Sequence, residues 1–292
     1  MFRIFLIKVY GLGYLSSGSV LDVAGGKGDL SWELANLNNI RAVLVEPRQS
    51  SFGKKDKDWT KGLFEPKRLG PVFSKWNSSV SDGDCLGGSK RPEHLRVFFR
   101  ADSFQRIYDY SASGVKDKDE GKVLGDGNSE WFLEERRMAQ AIKWTTKGLE
   151  EHDGDGGGDG DGASGENEEE TSENFNKRKN FKLKSGKNEI TSIAKASEIL
   201  STCKLLVGIH PDQACGDIAE LADSLRLPWC VIPCCTYSNL FSKRKLLDGT
   251  RVTTHGNLIQ WLVERFPEAK VTKLDSVEGK NVVVYCLPKD KG

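Results

Sequence analysis

This chain has almost no charge imbalance. Its 43 lysines and arginines face 42 aspartates and glutamates, for a net charge of +1, so no field of the whole molecule draws it to nucleic acid or to a membrane surface. Long apolar runs are missing as well. The longest fall far short of the roughly 20 residues that a membrane-crossing helix needs, so no membrane partner is expected. The opening run Met1 to Ile7 lacks a signal peptide's long apolar core and clear small-residue cleavage site. It reads instead as a first strand or helix, or as the edge of a truncated gene model. Disulfide-framework spacing is absent too. The seven cysteines are odd in number and scattered through apolar segments, which suggests a reducing, intracellular setting, cytoplasmic or nuclear. No metal is expected. Cys230, Cys234 and Cys235 fall short of four spaced ligands, and adjacent strand residues point to opposite faces. The Asp-Gly repeats near residue 155 lack the twelve-residue ligand spacing of a calcium loop. Apolar residues make up only 37% of the chain while glycine reaches 31, so part of it is expected to stay outside any core.

What is present begins at Val20-Leu21-Asp22-Val23-Ala24-Gly25-Gly26-Lys27-Gly28-Asp29. An apolar run ending in an acid leads through a glycine-rich turn into a helix expected over Leu30 to Leu37. Such a corner lets backbone N–H groups approach a ligand closely. A second apolar run, Ala42 to Val45, also ends in an acid, Glu46. Glycines after one strand and an acid after the next fit a cofactor that carries a ribose. Gly26-x-Gly28 followed by Ser31 is a weak version of the dinucleotide pattern. However, Asp22 puts a carboxylate just ahead of the turn, which suits a cationic or amino-bearing ligand better than a pyrophosphate.

These residues resemble motif I of the class I S-adenosylmethionine-dependent methyltransferases. The resemblance implies that Gly25, Gly26 and Gly28 cradle the methionine part of S-adenosylmethionine, that Asp22 lies near its amino-acid end, and that Glu46 binds the ribose. It also implies that Asp102, after a third strand expected at Leu95 to Phe99, contacts the adenine amino group. A solvated loop acid is the alternative for Asp102.

Three regions follow from the pattern. Residues 1–110 form the cofactor-binding half, with strands at Ser19 to Val23 and Arg41 to Glu46; residues 50–92 read as a loop with local packing. Residues 111–188 form a low-complexity insert, with a helix around Glu130 to Lys147. Beyond it lie an acidic tract and a basic run at Lys177-Arg178-Lys179, expected to be disordered. Residues 189–288 form the substrate half, with strands expected at Lys204 to Ile209, Trp229 to Ile232, Lys270 to Leu274 and Asn281 to Leu287, the last two as an antiparallel pair. Strands alternating with helices predict an α/β protein with a Rossmann-like, seven-stranded, mainly parallel sheet and helices on both faces, both halves contributing to one sheet.

Ligands of open α/β sheets bind beyond the carboxyl ends of strands, which singles out Asp22, Glu46, Asp102, His210, Asp212, Gln213, Cys234 and Cys235. Amino-methylating members of the family often carry Asn-Pro-Pro-Tyr after the fourth strand. This chain has Ile209-His210-Pro211-Asp212, which argues against that motif's chemistry. His210, a Gly216-Asp217 pair and Cys234-Cys235 together resemble a group of methyltransferases that includes tRNA 2′-O-methylating enzymes. His210 is a candidate general base, an orienting group, or a histidine tied to a backbone carbonyl. Asp212 is a second candidate base or the cap of the next helix. Gln213, Cys234 and Cys235 are candidate substrate contacts, with a nucleophilic cysteine as a further alternative. The expectation is a methyltransferase acting on RNA. Its rivals are a protein or small-molecule methyltransferase, a non-catalytic binding module and a nicotinamide-dependent oxidoreductase.

Overall fold

The computed structural model describes residues 1–112, 130–141, 186–274 and 279–289. The expected disorder of the acidic and basic tracts lies outside the described residues, as does the end of the helix expected to reach Lys147. Seven strands form one sheet: β1 (Ser19–Val23), β2 (Arg41–Val45), β3 (Glu93–Leu95), β4 (Cys203–Ile209), β5 (Trp229–Ile232), β6 (Lys270–Lys273) and β7 (Val282–Tyr285). Their order is β3-β2-β1-β4-β5-β7-β6, so strands from both sides of the insert share the sheet. The five strands from β3 to β5 pair in parallel, whereas β7 runs antiparallel to both β5 and β6. The sheet is therefore mixed rather than mainly parallel. Only residues 274–281 separate β6 from β7, too few for the crossover that a parallel pair needs.

The parallel strands are continuous apolar runs because both faces are covered. Alternate residues serve opposite faces. Val20, Leu205, Val207, Cys230 and Ile232 pack with α1 (Phe2–Tyr10), α2 (Leu12–Ser16) and α3 (Asp29–Asn38) through Leu6, Leu15 and Leu34. Leu21, Val43, Leu206 and Val231 pack on the other side with α6 (Ala101–Ala112), α7 (Glu130–Ala141), α8 (Ile193–Ser201), α9 (Cys215–Ser224) and α10 (His255–Arg265). The opening segment is thus a helix. The Tyr10 hydroxyl lies 3.0 Å from both Trp229 O and Cys286 O and donates to these buried carbonyls, pinning α1 beneath the sheet.

Residues 50–92 are more ordered than the expected loop. They hold α4 (Gly53–Thr60) and α5 (Pro66–Ser74), the latter kinked at Gly70. Trp32, Phe52, Trp59, Val80 and Cys85 form a separate small core there. The third strand is shorter than expected. Pairing stops at Leu95, although Val97 and Phe99 stay buried as the chain turns toward α6. Helix α7 falls inside the segment expected to lie mostly outside the core, yet it buries Phe132 and Ala139. Its Arg136 Nη2 donates to Glu189 Oε1 at 2.6 Å, an ion pair with both side chains 3% exposed. The chain re-enters the fold beside β3, with Ile190 N donating to His94 O at 2.8 Å.

Candidate functional site

The corner between β1 and α3 is built around Asp22. Its Oδ2 accepts from Ser31 N (3.1 Å) and Ser31 Oγ (2.8 Å). A strand residue thereby satisfies an amide of the first helical turn that has no partner within the helix. The other oxygen, Oδ1, is buried and has no hydrogen-bond partner among the described residues. Gly25 lies directly over this carboxylate. A Cβ there would sit 2.6 Å from Asp22 Oδ2 and 2.7 Å from Leu44 Cδ1. Gly28 combines φ +82° with a Cβ position 2.9 Å from Leu44 and Phe52 carbons. The loop therefore lies close on the strand ends, with Gly28 N donating to Gly25 O at 2.8 Å.

Glu46, just past β2, is buried. Its Oε2 accepts from Gly26 N at 3.0 Å, and Arg48 donates to both carboxylate oxygens, from Nε to Oε1 at 2.7 Å and from Nη2 to Oε2 at 3.2 Å. A ribose would have to compete with Arg48 for Glu46. The Glu46 carbonyl accepts from His94 Nε2 at 2.8 Å, so that nitrogen carries the proton. Burial pushes the His94 pKa down, keeping the ring neutral.

A cavity of about 650 Å³ opens at the carboxyl ends of β1, β2 and β4, lined by Ala24, Glu46, Arg48, Phe98, Asp212 and Tyr237 among others. This is where the strand order reverses between β1 and β4, the usual ligand position in open α/β sheets. Gln213 also lines it. Asp102 does not. It sits in the first turn of α6 with its side chain 79% exposed, 3.8 Å from Arg100 Nε. Cavity acids on that side are Glu135 and Asp217, the latter with its pKa raised to about 6, by burial first and then by Glu220.

Beyond β4 the backbone is strained. His210, Asp212 and Tyr237 have φ of 49°, 46° and 47°, unusual for residues with side chains. Asp212 does not cap α9. A short 3₁₀ turn, Asp212–Ala214, intervenes and places Ala214 at the cap. The carboxylate instead accepts from Tyr237 OH at 3.0 Å, and Cys234 Sγ lies 3.8 Å from the same oxygen. The His210 side chain makes no hydrogen bond among the described residues, so it is not tied to a carbonyl. Its pKa is lowered, by partial burial first and then by Lys280. His210 flanks the 650 Å³ cavity rather than lining it.

Cys234 and Cys235 line a second cavity of about 700 Å³ with Thr236, His255 and Lys280; Tyr237 and Leu240 belong to both cavities. The Cys234 thiol is pushed up to about 12 by burial and by Cys235, so it is protonated at neutral pH and is a poor nucleophile. Among the described residues no group of His, Cys, Asp or Glu side chains is placed to hold a metal ion, and no helix is long and apolar enough to cross a membrane.

Several wall residues were not singled out from the sequence, among them Arg48, Tyr237, Glu135 and Met138. Arg48 had a signal, a cation two positions past the acid that ends β2. Tyr237 follows the cysteine pair closely. Glu135 and Met138 had none, because they arrive on α7, inside the segment expected to lie mostly outside the core.

Burial raises the Asp22 pKa from an ordinary 3.8 to about 6, against the lowering by the Ser31 hydrogen bonds. The native carboxyl thus holds its proton more tightly than the unfolded one. Its contribution to stability is fully present below about pH 4 and is lost as pH rises to about 6. On going from pH 7.5 to pH 5, urea unfolding should show the wild type gaining about 1.4 kcal/mol relative to Asp22→Asn. Parallel pH profiles of the two proteins would refute this.

Comparison with protein-family models, with curated proteins and with solved structures gave no match.

Proposed function

We propose that this chain is an S-adenosylmethionine-dependent methyltransferase of the class I fold, with RNA as the favoured acceptor. The observation that carries the reading is the glycine corner at the switch point. The buried Asp22 carboxylate lies beneath Gly25 with its second oxygen, Oδ1, unpartnered among the described residues, and Glu46 stands on the wall of the adjoining cavity. A cationic ligand suits that uncompensated carboxylate. The seven-stranded sheet, parallel around the corner and antiparallel at one edge, agrees with the class I plan.

When bound, S-adenosylmethionine supplies a methyl group already activated by its positive sulfur. The protein's own work is then mostly to position the acceptor and exclude water. Gly25, Gly26 and Gly28 offer the cradle, and Glu46 offers oxygens for ribose hydroxyls once Arg48 yields. Phe98 and Phe99 provide apolar walls. The exposed position of Asp102 leaves the adenine amino group to another residue. His210, its pKa lowered and its ring unbonded, can take a proton from an acceptor hydroxyl or amine. Tyr237 fixes the Asp212 carboxylate beside it. Gln213, Cys234 and Cys235 face the space left for the acceptor.

The test uses methyl-labelled S-adenosylmethionine with the full chain and separate RNA, protein and small-molecule pools. Label should enter the RNA pool, disappear with Glu46→Ala, and fall roughly 100-fold or more with His210→Ala. Label entering another pool would overturn the acceptor assignment, and label in none would overturn the enzyme.

A further inference from the structure

We infer that the segment 237–254 is an arm that grips the phosphates of a single-stranded RNA and lays it across the two cavities. The inference rests on the proposed methyltransferase for its chemistry, though not for the binding surface itself.

The arm follows β5 and doubles back on itself. Lys245 and Arg251 form an antiparallel bridge, and Leu246 N donates to Thr250 O at 2.9 Å. Its first turn supplies walls to both cavities through Tyr237 and Leu240. Four cations sit on it, Lys243, Arg244, Lys245 and Arg251, against the single acid Asp248. Asp248 is already engaged by the amide of Thr250 at 2.8 Å. None of the four cations ion-pairs with an acid within 4 Å among the described residues, although Asp217 and Glu220 lie near enough to Arg244 to favour its charge. Elsewhere on the surface, Arg41, Arg91, Lys195 and Lys289 are paired, whereas Lys54, Lys57 and Lys61 make no ion pair among the described residues. In a chain with almost no net charge, this unpaired group creates a local positive field beside the proposed chemistry.

Arg244 is prepared for an anion. Its guanidinium lies 3.5 Å from the Phe241 ring centroid and 4.8 Å from that of Trp261. Its side chain makes no hydrogen bond among the described residues. Gly216 at the start of α9 leaves it room, since a Cβ there would lie 2.7 Å from Nη2. Stacking on the two rings restrains the guanidinium while its N–H groups remain to be satisfied, and a planar donor fork matches phosphate oxygens. Leu240, 59% exposed, adds an apolar surface at the cavity rim for a base. The first cavity holds the proposed cofactor, so an acceptor base approaches through the second, of about 700 Å³, and must be unpaired or out of its stack to enter.

The test is fluorescence anisotropy of a labelled single-stranded oligoribonucleotide with the full chain over a range of salt. The comparison ligands are the same sequence as DNA and polyglutamate, and S-adenosylhomocysteine binding is measured in parallel. Exchanging Lys243→Gln, Lys245→Gln and Arg251→Gln together should weaken RNA binding at least tenfold and flatten the log–log salt slope by about 2. It should leave S-adenosylhomocysteine binding intact. Arg244→Lys should weaken RNA binding roughly tenfold, because an ammonium keeps the charge but loses the stacked fork. RNA binding that the triple exchange leaves unchanged overturns the arm. So does binding of DNA or polyglutamate as tightly as RNA. RNA binding that behaves as stated without S-adenosylhomocysteine binding keeps the arm and overturns the cofactor. The opposite pattern keeps the cofactor and overturns the arm.

Discussion

Gly25→Val should cost at least about a hundredfold in S-adenosylhomocysteine affinity, or about 2.7 kcal/mol. The atoms that a new Cβ would meet cannot easily retreat. Asp22 is held by two hydrogen bonds from Ser31, and Leu44 is fully buried in β2. The loop itself must therefore lift away from the strand ends. A shift of about an ångström is enough to spoil a positioned set of donors. Overpacking should also lower stability by about 1–3 kcal/mol. Gly53→Ala is the control, since a Cβ there meets nothing within 4 Å. Calorimetric titration beside thermal melting separates lost binding from lost folding. Near-normal affinity in Gly25→Val would mean that the loop does not carry the ligand.

Glu189→Ala should be the most destabilising single change, by about 3–5 kcal/mol, because removing one partner strands a buried charge. Glu189 accepts from Arg136 Nη2 at 2.6 Å, from Gln140 Nε2 at 2.9 Å and from Gly186 N at 3.0 Å. Arg96 Nη1 lies 3.9 Å away. The exchange removes the carboxylate that balances two buried or half-buried guanidinium groups and loosens α7 where the chain re-enters the fold. A chain of this size should lose roughly 10 °C in melting temperature. Replacing Arg136 and Glu189 together by methionine should recover much of the loss. Single and double variants that melt alike would show that the charge pair is not the cause.

The parallel core was legible because strands covered on both faces are unbroken apolar runs. β1 and β5 match their expected ranges, and β2 and β4 differ by one residue at an end. The glycine corner was legible because close approach and left-handed φ leave a composition trace. The short third strand was not, since its apolar run continues through Val97 and Phe99 after pairing stops. That early stop puts Asp102 on an exposed helical turn. Helices α4 and α5 were hidden by their lysines and by the kink at Gly70, where no simple period survives. Arg48 shows a different limit. A sequence can place a cation near Glu46, but not show that its fork closes on the carboxylate. The positive φ at His210, Asp212 and Tyr237 leaves no trace in residue type, since none of the three is glycine.

The central claim is that the corner holds S-adenosylmethionine, and calorimetric titration of the full chain with S-adenosylhomocysteine tests it most directly. NADH serves as the comparison ligand, with Asp22→Ala and Glu46→Ala as variants. A roughly micromolar dissociation constant is expected, about −8 kcal/mol, weakened or lost in both variants, with no heat from NADH. Absence of S-adenosylhomocysteine binding by the folded wild type, or tighter binding of NADH, would contradict it.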